Sequence, residues 1–572
     1  MSGLAPRPSP PEPTAPRAAD WLGAVVLGIA PHAFALLAFL CGGVLLITSA
    51  FPHFSDRMNA LAQVAPLLVI ELSHFLASLI GLFLLVVAVG LWRKHEGAFV
   101  AAIVLLIVGA VLALLRGLDY EEASLLGAVA IGLFLCRAAF VRQSRLLREP
   151  LTLPWFAGIA ATLAGASWLG FFAYREVDYT DQLWWTFLRD DDASRFLRAG
   201  VAVAGAAALI AAAQLLAPPR TSYRGKPKPE DLARARDVLD KATLRRPDAW
   251  LALSGDKDLL FSPSGESFLM FRVRGRRWIA MGEPCGRPDE RAALMWDFAE
   301  RADAAGALPV FYAVRGEGLA IVAEMGLVAR KIGETALVAT ADFTLEGRAR
   351  QNLRTTRNKM ERENCCFDVA PAGALSAEVM AELEAISDAW LEAQESGEKQ
   401  FSMGHFDAAY LSATPLALVR RDDKIIAFAN IWRDADKAEI AIDLMRSVPD
   451  APAGVMDFLF LKLIEWARTQ GVAAVDLGMA PLSGLERRRL APAFSRIGAA
   501  VYSEGERVYG FRGLRAYKAK FSPNWRPMFL AAPQSMIMAF ALLDVALLTS
   551  GGWRGLLGLA PHRRAPRLIT GL

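Results

Sequence analysis

The chain has 572 residues, 54% hydrophobic and 21% charged, and its 63 Lys plus Arg nearly balance its 59 Asp plus Glu, for a formal net charge of +4. That length exceeds one core and that apolar content exceeds an ordinary soluble protein's, so membrane spans are expected and any important basic character must be local. Cys41, Cys136, Cys285, Cys365 and Cys366 show no CxxC spacing, which argues against a zinc or disulfide framework and fits a reducing compartment.

Residues 1–20 are rich in Pro and Ala without a cleavable signal pattern, and read as a disordered lead. A helical membrane domain is expected over 21–218. Six apolar stretches there, near 24–49, 66–92, 97–115, 123–140, 154–174 and 199–217, could each cross about 30 Å of hydrocarbon. Arg7, Arg17, Arg93, Lys94, Arg142, Arg145, Arg148 and Arg220 fall on alternate loops, which predicts a multi-pass protein with both termini cytoplasmic. Glu71 and His74 share a face of the second span and Arg137 ends the fourth; ionisable groups at such depth usually face a bundle interior, although Glu71 could also stay wet at the outer interface.

A basic linker at 219–240 leads into alternating strand-like and helix-like runs. Strands are predicted at 267–273, 278–281, 308–313, 416–419, 425–432, 439–445 and 473–477, and helices at 289–304, 345–363, 376–393 and 454–470. The same order recurs, so two similar α/β units are expected over 241–345 and 376–531, joined by a basic helix at 346–375. In the tail, 532–572, the apolar run 535–548 is short for a span and holds Asp544, so it is expected on the membrane surface or against the bundle.

No GxSxG, Walker, HExxH or GxGxxG signature occurs, and only His405 and His562 lie beyond the membrane half. The segment 315–320, R-G-E-G-L-A, is like an acetyl-CoA pyrophosphate turn, but an ordinary helix start accounts for it better. Three other features carry chemistry. Arg350, Arg354 and Arg357 recur at i, i+4 and i+7, beside Lys359, on one helical face suited to a phosphate backbone or to plain solvation. Asp443 and Arg446 end a strand just before the turn 449–454 and an apolar helix, where α/β folds place ligands; an ion pair would explain them equally. The stretch 507–526 interleaves Arg512, Arg515, Lys518, Lys520 and Arg526 with Tyr509, Phe511, Tyr517, Phe521 and Trp525, a mixture suited to an anionic lipid surface or to an aromatic core edge.

At G-D-K-D-L-L-F-S (255–262), L-R-T-T-R-N-K-M-E-R-E (353–363), I-S-D-A-W-L (386–391), D-L-M-R (443–446), L-G-M-A-P-L-S-G (477–484) and F-R-G-L-R-A-Y-K-A-K-F-S-P (511–523), the chain resembles the phosphatidylglycerol lysyltransferases, the multiple peptide resistance factors. The resemblance implies a membrane domain followed by two tandem GNAT-like acyltransferase domains in a bacterial inner membrane. They would move lysine or alanine from aminoacyl-tRNA to phosphatidylglycerol, with no cofactor or metal because the ester is already activated. Partners implied are aminoacyl-tRNA, phosphatidylglycerol and the bilayer, with a homo-oligomer left open. Asp443, Arg446 and Lys518 would be catalytic. Glu504 and Glu506 would meet the amino acid's amine, Tyr509, Arg512 and Arg515 the lipid or amino acid, and Arg350, Arg354, Arg357 and Lys359 the tRNA. A CoA-dependent N-acyltransferase and a lipid transporter with a regulatory soluble half are the alternatives.

Overall fold

The computed structural model describes residues 18–50, 67–117, 119–140, 142, 223, 225–242, 246–394, 397–504 and 511–556, which form two compact units divided between Arg220 and Thr221. In the first unit, helices Ala18–Ala50, Leu67–Trp92, Glu96–Gly117 and Tyr120–Leu135 coincide with the first four predicted spans. They bury Ala38, Leu84, Ala102 and Leu126 while leaving Ile29, Val104 and Ile131 exposed, so their surface is as apolar as their interior. Among the described residues, Leu27–Leu45 and Glu96–Leu115 are long and apolar enough to cross a membrane. Two of these helices touch closely at Gly42, where a Cβ would lie 2.6 Å from the Gly81 carbonyl, the small-residue contact typical of helices in lipid. The expected fifth and sixth spans lie outside the described residues, as do the side chains of Glu71 and His74.

The second unit is built on one eleven-stranded sheet. Its strands are β1 (Asp258–Phe261), β2 (Phe268–Arg274), β3 (Arg277–Met281), β4 (Leu308–Val314), β5 (Val328–Ala339), β6 (Cys365–Ala370), β7 (Leu416–Arg421), β8 (Lys424–Arg433), β9 (Glu439–Ser447), β10 (Ala474–Pro481) and β11 (Asn524–Ala532). Continuous apolar runs such as K-I-I-A-F-A-N-I-W-R in β8 are buried along almost their whole length, as strands covered on both faces should be. Helices Arg291–Ala304 and Val455–Thr469 supply the crossovers that let β3 pair parallel with β4, and β9 with β10.

The expectation of two units holds for the order of elements but not for their separation. Across the sheet the strands run β1-β2-β3-β4-β11-β5-β10-β9-β8-β7-β6. β5, the last strand of the first half, pairs with β10 of the second; β11, the last strand of the second, pairs with β4 of the first. The two exchanged strands then pair with each other at the centre. The cores follow the strands: Ala336 and Val338 of β5 pack with second-half residues, and Met528, Leu530 and Ala532 of β11 with first-half residues.

The C-terminal run forms a helix, Ser535–Thr549, that seats Met538, Ala541, Val545 and Leu548 in the first-half core. Asp544, read in the sequence as an interruption, pairs with Arg274 and Arg277 of the β2–β3 hairpin. One face of the tail is thus part of the α/β body, a tertiary contact that periodicity alone does not announce.

Candidate active site

β9 and β10 pair only from Glu439 to Ala441 and from Ala474 to Asp476. Beyond that point β9 stays with β8, while β10 bulges between Asp476 and Met479 and stays with β5. The parting strands leave a wedge, and the predicted Asp443 and Arg446 stand on its β9 side.

Asp443 is partly buried, and both its oxygens accept: Oδ1 from the Gly404 N–H at 2.9 Å and Oδ2 from the Tyr410 hydroxyl at 2.8 Å. Tyr410 in turn accepts from the Trp432 indole at 2.8 Å, which leaves its own proton for Asp443. Burial raises the Asp443 pKa, and these two donors, Lys257 and Arg446 oppose the rise. A Cβ at position 404 would collide with Oδ2, so only glycine lets the chain approach this carboxylate so closely.

Arg446 lies across the Trp390 ring, 4.2 Å from its centroid, and meets Glu398 at 3.2 Å. Burial lowers its pKa while Glu398 and Asp443 counter the effect, and its Nε finds no partner among the described residues. Asp443, Arg446, Trp390 and Gly404 line a cavity of about 110 Å³ with Lys399, Met403 and Leu444. Its rim is the loop 397–406, pinned by three carboxylates: Glu398 accepts from Phe406 N–H at 3.2 Å, Asp443 from Gly404, and Asp256 of the first half from Phe401 N–H at 2.6 Å. Asp256 is itself held by the fully buried Lys257 ammonium. Glu398, Tyr410, Gly404 and Asp256 are absent from the sequence-based assignment. Only G-D-K-D at 255–258 signalled any of them, as a matching stretch without a role.

On the β10 side, Lys518 is buried and donates to the Met479 carbonyl at 3.0 Å. Burial lowers its pKa to about 8, against the pull of Asp476. Asp476 accepts from the Thr335 hydroxyl at 2.6 Å and the Gly478 N–H at 2.8 Å, which fixes the bulge. If the Lys518 ammonium binds developing negative charge, kcat/KM corrected for spontaneous ester hydrolysis should fall about tenfold per pH unit above about 8. Lys518→Arg, with a guanidinium that stays protonated, should hold its plateau to higher pH. Superimposable profiles for the two proteins would remove Lys518 from the chemistry.

The remaining predicted residues divide sharply. Arg350 donates to the Lys520 and Phe521 carbonyls, and Arg354 to those of Leu345 and Gly347. Arg357 and Lys359 are held more loosely, 3.9 Å from Glu465 and Glu363 respectively. Arg515 stacks over Trp525 at 4.4 Å and pairs with Glu334 at 3.1 Å. Glu506 and Tyr509, with the side chains of Glu504 and Arg512, lie outside the described residues. His405 is buried with an unpartnered Nδ1 among the described residues. The R-G-E-G turn opens a helix of six residues, and Glu283 fills the space beside Gly318.

Comparison with known proteins places this geometry. The phosphatidylglycerol lysyltransferase of Bacillus subtilis is 29% identical over 545 residues, covering 92% of this chain and 60% of that protein. The phosphatidylglycerol lysyltransferase of Staphylococcus aureus is 31% identical over 281 residues, 33% of its length. The chain therefore spans less than two thirds of the length of these relatives. The crystallised C-terminal DUF2156 domain of a candidate lysylphosphatidylglycerol synthetase from Agrobacterium fabrum is 40% identical, with a TM-score of 0.51 over 57% of this chain and 98% of that one. A family model described as the C-terminal region of phosphatidylglycerol lysyltransferase matches residues 236–532, which contain every strand of the sheet and both sides of the wedge, and the chain belongs to that family.

Proposed function

We propose that the chain transfers an amino acid, lysine or alanine, from aminoacyl-tRNA to a glycerol hydroxyl of phosphatidylglycerol, at the cytoplasmic face of a bacterial inner membrane that it spans several times. The observation that carries this reading is the wedge between β9 and β10, which sets a partly buried, doubly hydrogen-bonded carboxylate and a stacked guanidinium on one side and a buried ammonium on the other. In the reaction the hydroxyl oxygen attacks the ester carbonyl, the tetrahedral intermediate expels the tRNA 3′ oxygen, and the hydroxyl proton ends on that leaving oxygen. The new ester replaces the old one, so neither energy input nor redox change is required. What remains is to position two large anions and to stabilise an oxyanion, work for which fixed cations in a water-poor site are suited. Arg446 and Lys518 supply those cations, and Asp443 holds the wall against which the hydroxyl lies. Glu504 and Glu506 meet the amino acid's free amine, with Tyr509, Arg512 and Arg515 near the lipid. The α/β body is then two GNAT-like units in tandem that share one sheet by exchanging β5 and β11.

The direct test is mass spectrometry of lipids from a host that makes no aminoacyl-phosphatidylglycerol and expresses this chain. A new aminoacyl lipid that disappears when the cognate tRNA is left uncharged supports the reading; no new lipid from a folded, membrane-inserted chain refutes it. A second arm addresses the tRNA face. Because Arg350 and Arg354 already serve backbone carbonyls, Arg357→Gln with Lys359→Gln should be the informative pair. With two phosphates no longer neutralised, the slope of log affinity against log salt should drop by roughly 1.4–1.8, whereas Arg350→Gln and Arg354→Gln should chiefly lower the melting temperature. An unchanged slope in the Arg357, Lys359 double variant would move the tRNA contact elsewhere.

A further inference from the structure

The helix Ser535–Thr549, S-M-I-M-A-F-A-L-L-D-V-A-L-L-T, is apolar around its whole circumference, and its one charged side chain, Asp544, is buried. A helix of this kind is normally covered on every side. Here Met538, Ala541, Val545 and Leu548 enter the first-half core, Ile537 and Leu542 pack against it and Leu547 is buried as well, so the uncovered part is the stretch around Phe540 and Leu543. Phe540 and Leu543 on the opposite face remain 56% and 36% exposed, and Trp553, just beyond the helix, 54%.

Arginines flank this face. Arg274 and Arg277 of the β2–β3 hairpin straddle Asp544 and satisfy it, and the Arg277 guanidinium lies 5.9 Å from the Phe540 ring. Arg276 at the hairpin tip and Arg554 next to Trp553 are exposed. Aromatic and leucine side chains ringed by arginines match the boundary of a bilayer, where the rings sit among the headgroups and the guanidinium groups meet lipid phosphates. A soluble protein partner would more naturally be met by mixed charges. The same chain also carries helices able to cross a membrane, so a bilayer is always within reach.

We propose that the outer face of this helix, with the hairpin tip and Trp553, is a docking surface for an anionic lipid bilayer, immersing Phe540, Leu543 and Trp553 while Arg276 and Arg554 engage headgroup phosphates. The docking is a property of the folded chain in lipid and needs neither tRNA nor turnover, so its test is independent of the transfer reaction.

The test uses the full chain in lipid nanodiscs, with Cys136→Ser and Cys366→Ser, and a nitroxide attached at Leu543→Cys. A control carries Cys136→Ser alone and is labelled at exposed Cys366 on β6. Accessibility of the label to oxygen and to a water-soluble nickel chelate is read by power saturation. With phosphatidylglycerol in the bilayer, the label at 543 should favour oxygen and the label at 366 the chelate. In phosphatidylcholine alone, or after Arg276→Gln with Arg554→Gln, the docked-to-undocked ratio should fall about fivefold for each arginine that no longer meets a phosphate. A label at 543 that favours the chelate as strongly as the one at 366 overturns the proposal. So does one shielded from both relaxants, which would mean that protein, either the membrane helices or a second copy, covers the face. Immersion indifferent to lipid charge and to the arginines would overturn the anionic assignment.

Discussion

Asp443→Asn should leave a folded, membrane-inserted protein whose turnover is reduced by about two orders of magnitude. Both Asp443 oxygens accept hydrogen bonds, from Gly404 N–H and Tyr410 OH. An asparagine can offer only one acceptor oxygen. In one orientation its NH₂ faces the Gly404 N–H; in the other it faces a Tyr410 hydroxyl that already accepts from Trp432 and whose proton then has nowhere to go. Either way one buried donor is stranded, at a cost of about 1–3 kcal/mol, enough to lower the melting temperature by several degrees without unfolding the chain. The larger effect should be on the reaction, because the bond to Gly404 fixes the loop 397–406, and a displacement of about 1 Å in a positioning element can reduce a rate about a hundredfold. The loss should appear in kcat at saturating aminoacyl-tRNA rather than in tRNA affinity. Near-normal turnover by a folded Asp443→Asn chain would show that neither the charge nor the loop position matters to the chemistry.

Separating the two halves of the sheet should abolish folding of both. Residues 221–375 made alone would contain β4 without β11, and β5 without β10; residues 376–556 would contain β10 and β11 with no β5 between them. Each fragment would also expose core side chains whose partners lie in the other, among them Ile332, Val338, Met528 and Leu530. At about 1.5–3 kcal/mol for each large apolar side chain left in water, a handful of such losses equals the about 5–15 kcal/mol that holds a typical domain together. Neither fragment should give a cooperative thermal transition, and co-expression should restore one complex that melts as a unit. A sharp transition from monomeric 221–375 would refute this, and would return the boundary near 345–375 to the status of a true domain border.

That boundary shows where the sequence is legible and where it stops. Seven of the eleven strands and both crossover helices follow from apolar runs and 3.6-residue spacing and fall close to their expected positions, whereas β1, β5, β6 and β11 are not among the expected strands. Asp443 and Arg446 are legible because a charged pair at a strand end before a turn and helix is a local pattern. Partner choice is not local. Nothing in V-A-R-K-I-G-E-T-A-L-V-A or N-W-R-P-M-F-L-A-A says which half of the sheet will receive each strand. The same limit hides the loop's supports, since Asp256 and Phe401 stand 145 residues apart and Glu398 and Arg446 stand 48 apart. The arginine stripe illustrates a different limit. Its spacing places the arginines on one helical face, yet the carbonyls of Leu345, Gly347, Lys520 and Phe521 compete for the guanidinium groups, and only the folded structure reveals that Arg350 and Arg354 are engaged.

The exchange of β5 and β11 also sets a timetable. Synthesis proceeds from the N-terminus at about 5–20 residues per second, and β11 emerges about 200 residues after the β4 edge it must cover. For roughly 10–40 seconds that edge, with unpaired N–H and C=O groups and the apolar floor meant for Met528 and Leu530, waits without its partner. The first half therefore cannot mature before the second is nearly complete. A nascent chain stalled before residue 524 should be an aggregation-prone client for holding chaperones, and one released after residue 556 should not.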